Sequence, residues 1–186
     1  MGAFVRLAGL LAATGLVLGG IGERPPRLPP MEGGGGASLP DWPADTPWTM
    51  PDLGLCIDRP GEITLTGATL EHSDGLRLDA FAVREADWTG TRYPAPADGS
   101  GVATLEDYGF DPADRTIDTV CPADETDPDA PLMQLGLQFS KPSDATARGA
   151  VVALTYDSAG QSFVHRIWFE LVLCEGPVDA AGCQPF

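Results

Sequence analysis

From residue 48 onward the chain alternates apolar and polar positions, and a period of two predicts strands. Leu132–Ser140 shows it most cleanly, with Met133, Leu135, Leu137 and Phe139 set against Gln134, Gly136 and Gln138. In Ser162–Cys174, Phe163, Ile167, Phe169, Leu171 and Leu173 share one face, while Arg166, Trp168 and Glu170 take the other. Gly149–Tyr156 precedes that strand, and Asp157-Ser158-Ala159-Gly160 between them predicts a hairpin with Gly in the left-handed position. Shorter strands are expected over Glu62–Thr66, where Ile63 and Leu65 pair up, and over Arg115–Cys121, where Ile117, Thr119 and Cys121 do. In Leu76–Arg84 the alternation sets Leu76, Leu78, Ala80 and Ala82 against Arg77, Asp79, Phe81 and Val83. One short helix is expected around Thr104–Tyr108, because Thr104 and Asp107 have capping-box spacing and Gly109 can end the turn. Many short strands separated by turn signals, with no internal repeat, predict an all-β antiparallel sandwich of immunoglobulin-like architecture. Its core should contain Leu135, Leu137, Phe139, Val152, Leu154, Ile167, Phe169 and Leu171.

The first 47 residues break this pattern. Residues 1–22 carry Arg6 and then an apolar run from Leu7 to Gly22, a signal peptide or membrane anchor. With Ala3, Phe4 and Val5 included and Arg6 snorkelling, the run is long enough for a thin bilayer, so an uncleaved N-terminal hydrophobic helix is expected. A cleaved signal ending at Gly22 is the alternative; no Ala-x-Ala site lies there. Ala8, Ala12, Gly15, Gly19 and Gly22 would line one helical face, which suits close helix packing and also follows from composition alone. Residues 23–47, ERPPRLPPMEGGGGASLPDWPADTP, read as a Pro/Gly-rich linker, stiff at first and swivelling at the glycine run. Its PxxP match, Pro26 to Pro29, is expected to act as spacer rather than ligand. Residues 48–186 form the β-sandwich ectodomain.

Composition narrows the partners. Among 186 residues, 27 are acidic and 11 basic, a net charge of −16. Such a field repels phosphates, so neither nucleic acid nor an anionic bilayer surface is expected as the main partner. A hydrophobic share of 43% excludes wholesale disorder. Four cysteines in an exported domain predict two disulfides, with three pairings open. Cys174 and Cys183 flank a short tail, and bridging them leaves Cys56 with Cys121, which is the pairing expected. No C-x₂₋₄-C spacing suggests zinc.

Candidate chemistry is sparse. Glu71-His72-Ser73-Asp74-Gly75 mixes residue types that a hydrolase uses, but triads are assembled from distant positions, so a solvated hairpin turn is expected. His165 has the apolar parity of the last strand and is expected to be a core or strand-end histidine with a satisfied hydrogen bond. No nucleophile elbow, H-E-x-x-H, P-loop or dinucleotide-binding glycine pattern occurs. Met31, Met50 and Met133 with the histidines would suit copper, and the acidic segment Asp124–Asp129 would suit calcium, but neither forms a recognisable frame. Accordingly no catalytic residue, metal ligand or cofactor is assigned. The long connection over residues 85–114 carries Trp88, Tyr93, Tyr108 and Phe110, a candidate partner-binding set. The competing expectation is that these rings fold back to cover an open end of the sandwich. The function expected is non-catalytic: an extracytoplasmic binding or structural module displayed at the cell envelope to meet another protein or an envelope polymer. The alternatives are an envelope hydrolase using carboxylates, or a calcium- or copper-binding ectodomain.

The phrases GLCIDRPGEITLTG (54–67), GLRLDAFAVR (75–84) and FELVLCEG (169–176) resemble uncharacterised exported or membrane-anchored proteins of actinobacteria. An Arg-over-Lys, Ala/Gly/Pro-rich composition is similar to that group as well. The resemblance implies an extracytoplasmic compartment, membrane-anchored or secreted, and carries no activity.

Overall fold

The computed structural model describes residues 24–31, 34–85, 103–123, 133–177, 179–180 and 182–184. Residues 1–22 lie outside them, and no helix among the described residues is long and apolar enough to cross a membrane. Among the described residues there are eight strands: β1 (Gly35–Leu39), β2 (Trp48–Leu55), β3 (Ile63–Asp74), β4 (Arg77–Glu85), β5 (Thr116–Ile117), β6 (Met133–Ser140), β7 (Ala147–Ser158) and β8 (Gln161–Leu173). They form a five-stranded sheet in the order β1-β8-β7-β3-β5 and a three-stranded sheet in the order β2-β6-β4. The pairings between these strands are antiparallel except that of β1 with β8.

The two sheets share one core. From the smaller sheet come Met50, Leu55, Val83, Leu135, Leu137 and Phe139; from the larger, Ile63, Leu65, Val152, Leu154, Ile167 and Leu171. Seven of the eight residues expected in the core are buried in it, and Phe169 packs against it half-buried. Phe169 also bridges the layers, its ring 6.4 Å from both Trp48 of β2 and Phe139 of β6. The hairpin between β7 and β8 has a two-residue turn, Ala159 (φ 46°) and Gly160 (φ 76°), both left-handed as the right-handed twist of paired strands favours.

Two local devices tie the sheets together. Lys141, the chain's single lysine, is fully buried where β6 crosses to β7. Its ammonium donates to the carbonyls of Asp144 (2.6 Å), Ala145 (3.1 Å) and Cys174 (3.3 Å), so the charge is compensated by dipoles. The disulfides are Cys56–Cys121 and Cys174–Cys183. The first joins the end of β2 to the segment after β5, where Ile57 also bridges Val120; the second pins the tail beside Val172.

Three sequence expectations need correction. The strand over 76–84 does not keep one parity. The register shifts between Leu78 and Ala80, so Leu78, Phe81 and Val83 face the core while Ala80 and Ala82 face away. An extra residue, Asp79, reverses every side chain beyond it. Residues 71–75 are not a hairpin turn: Glu71–Asp74 extend β3 against β7, and Gly75 (φ 74°) turns the chain into the other sheet. Finally, the Pro/Gly-rich span 23–47 is no free linker in its described part. Leu28 and Trp42 lie in the core, and residues 35–39 are β1. Arg27 stacks over Phe163 at 4.1 Å, and its backbone exchanges hydrogen bonds with Asp58. Pro removes a backbone donor but not hydrophobicity, so a Pro-rich segment with a few large apolar residues can still dock on a sheet.

Candidate functional site

The aromatic set expected to bind a partner divides. Trp88 and Tyr93 lie outside the described residues. Tyr108 and Phe110 are buried with Ala103, Leu105 and Ala82 on the outer face of the three-stranded sheet, so they serve packing. The local sequence explains why. Asp107 accepts from the backbone and hydroxyl of Thr104 (2.8 and 2.9 Å) and returns its own N–H to the hydroxyl (3.3 Å). This box opens a single 3₁₀ turn, Glu106–Tyr108, which Gly109 closes with φ 77°. The turn rests on a low patch made by Ala80, Ala82 and Gly136. Polar groups of the sheet then latch it: Gln138 accepts from the Leu105 N–H (3.0 Å), Thr49 donates to the Ala103 carbonyl (2.8 Å), and Arg84 donates to the Tyr108 carbonyl.

With that face covered, the outer face of the five-stranded sheet is the open one. Along β8, Val164, Arg166, Trp168 and Glu170 point outward by strand parity. Val164 and Trp168 are 55% and 61% exposed, the most exposed large apolar side chains among the described residues. Trp168 sits at an irregularity. Ala150 pairs with Glu170 and Val152 with Ile167, so Trp168 and Phe169 together oppose the single residue Val151, whose φ is 60°. Such a bulge re-aims a side chain.

Trp168 borders a groove of about 890 Å³ that runs from Gly34–Gly36, across β8 and β7, to Glu71–Asp74 of β3. Crossing four strands, it is about 14 Å long. Small neighbours keep it open: Glu170 is flanked by Gly36 and Ala150, and the backbone of Gly34 passes close to Trp168. Its charged lining comprises three carboxylates, Glu71, Asp74 and Glu170, against one guanidinium, Arg148. Arg166 donates from Nε to both Glu71 oxygens at 2.9 Å, which holds the Glu71 carboxyl below its ordinary pKa and fixes the rim beside Trp168.

The remaining candidates do not form a catalytic or metal site among the described residues. His72 and Ser73 line the groove, but Ser73 donates its hydroxyl to the Leu76 carbonyl rather than to His72. His165 is a core histidine as expected, yet its Nε2 is buried with no hydrogen-bond partner among the described residues. Burial pushes its pKa down and keeps the ring neutral. Met50 and Met133 are core residues and Met31 packs against the same core, so these side chains are occupied in packing. Residues 124–129 lie outside the described residues, and no three His, Cys, Asp or Glu side chains converge among those described.

No protein-family model, curated protein or solved structure matches this chain. The surface around Trp168 was not singled out in the sequence. The signal available was a large aromatic at an outward position in a row of polar residues, Arg166-Trp168-Glu170.

Proposed function

We propose that this protein is a non-catalytic, extracytoplasmic binding module that meets its partner through the outer face of the five-stranded sheet. The observation that carries the reading is Trp168, 61% exposed beside an open groove on a rigid sheet, where burial on binding would release a large apolar area. Two disulfides in a small domain are consistent with an oxidising compartment. The strand orders β2-β6-β4 and β8-β7-β3, with β1 laid parallel on β8, support an immunoglobulin-like sandwich, a scaffold suited to display. Glu71 supports the non-catalytic reading: a general acid needs a raised pKa, and the Arg166 guanidinium lowers that of Glu71.

On this reading the apolar segment 1–22 exports the chain, as an anchor or as a cleaved signal. Because residues 24–31 already pack on the domain, an anchored form would sit close against the membrane rather than at the end of a long stalk. Cell fractionation with N-terminal sequencing separates the two; a cytoplasmic full-length chain contradicts both.

The functional test compares partner recovery from the native envelope by wild type, Trp168→Ala and a Trp88→Ala, Tyr93→Ala double variant, each checked for an unchanged melting temperature. Loss of recovery with Trp168→Ala alone supports the reading. Undiminished recovery with that variant and loss with the double variant moves the site to the 85–114 connection.

A further inference from the structure

We propose that the groove beside Trp168 takes a basic peptide segment, with an arginine or lysine side chain stacked on the indole and its charge met by the surrounding carboxylates. This rests on the outer face being the recognition surface, and it names the occupant's chemistry. Three features converge. The groove lining carries Glu71, Asp74 and Glu170 against Arg148, with Arg166 paired to Glu71 at the rim, which leaves one negative charge in excess locally inside a chain of net charge −16. The local and the global field therefore both draw in cations and repel anionic ligands. Trp168 offers the indole face, the aromatic surface that attracts cations most strongly. The Asp74 carboxylate makes no hydrogen bond among the described residues, and Glu71 is held ionised by Arg166.

Shape agrees with charge. A groove about 14 Å long matches four extended residues at about 3.3 Å each. Its glycine wall, Gly34–Gly36, presents backbone without side chains, so a main chain can approach closely. The Arg166–Glu71 pair then acts as a rim that orients the entering cation towards Trp168 and Asp74, rather than as the binding charge itself.

The test is fluorescence anisotropy with a labelled heptapeptide alternating glycine and arginine, at about 0.15 M salt so that distant charges are screened. Wild type should bind it, and a glutamine-for-arginine analogue should not bind. Trp168→Ala, which leaves the net charge unchanged, should weaken binding about tenfold. The Asp74→Asn, Glu170→Gln double variant should weaken it further and flatten its salt dependence. Equal binding by wild type and Trp168→Ala would show a diffuse field rather than a site and would overturn the proposal, as would no binding by wild type. Trp168-dependent binding of the glutamine analogue, or of cellohexaose as a neutral sugar probe, would overturn the cationic occupant while leaving the outer face as the recognition surface. Recovery of the native partner by Trp168→Ala, by contrast, would sink the surface itself.

Discussion

Replacing Gly136 with alanine separates two pictures of residues 103–110 by the sign of the effect. Gly136 lies in the middle of β6, paired with Ala82, on the side facing away from the core. A Cβ there would lie 2.5 Å from Leu105 Cδ2 and 2.9 Å from Phe110 Cζ. Neither neighbour is free to swing aside. Leu105 is fully buried and hydrogen-bonded through its backbone to Gln138, and Phe110 is held under the Arg84 guanidinium at 4.6 Å. One inserted methyl must therefore displace the segment, at about 1–3 kcal/mol. Were this face open, alanine would instead favour the strand by about 0.5–1 kcal/mol over glycine. Urea unfolding with disulfides intact is the assay. At an m-value of about 2 kcal/mol/M, the midpoint should fall by about 0.5–1.5 M with m unchanged. Gly35→Ala is the control, since nothing lies within 4 Å of the added atom; its midpoint should hold or rise slightly. A midpoint that rises in Gly136→Ala would refute the packing and return Tyr108 and Phe110 to the exposed candidates.

The other expectations follow from the same structure. Removing Cys56–Cys121 as an alanine pair should cost about 4 kcal/mol and removing Cys174–Cys183 about 2.5 kcal/mol, from sequence separations of 65 and 9. Denaturant titration of each pair decides it, and an equal or larger loss from the short loop would contradict the loop-entropy account. Lys141→Met should destabilise by about 2–4 kcal/mol, because three carbonyls lose a charged donor; amine-specific labelling should reach Lys141 only after unfolding. His165 has a folded-state pKa below its usual 6.5 because burial disfavours the imidazolium, so the unfolded chain binds the extra proton first. Its contribution is thus present above about pH 6.5 and lost as pH falls through the folded-state value. His165→Leu should flatten the loss of stability between pH 7 and 5, and an unchanged slope would show that His165 is not the group responsible.

Much of the two-sheet architecture was legible because regular alternation encodes burial directly. The residues of β6 and β8 show this, as does the turn at Ala159-Gly160, where only left-handed backbone closes the hairpin. The capping pair Thr104 and Asp107 was legible from its spacing, whereas the cysteine pairing was only one of three left open, favoured because Cys174 and Cys183 are close in sequence. What failed were non-local effects. The bulge at Asp79 inverts β4 beyond it, and no local signal distinguishes it from uninterrupted alternation, since Ala80 and Phe81 are both apolar. The docking of β1 depends on an open edge of β8, and that of Leu28 on the contacts its neighbours make with Asp58, Ser158 and Phe163, none of which the segment's own Pro/Gly-rich composition reveals. Trp168 was read correctly as outward-facing, yet its importance depends on Gly36, Ala150 and Glu71, brought beside it by three other strands.

The central claim, that the face around Trp168 is the surface the protein uses, is tested most directly by oxidative footprinting of Trp168 in the purified protein and in intact cells that express it. Val120, 39% exposed and away from the groove, serves as the internal reference. The account predicts rapid modification of Trp168 in the isolated protein and clear protection in the cell, with Val120 modified alike in both. Equal modification of Trp168 in the two settings would contradict it.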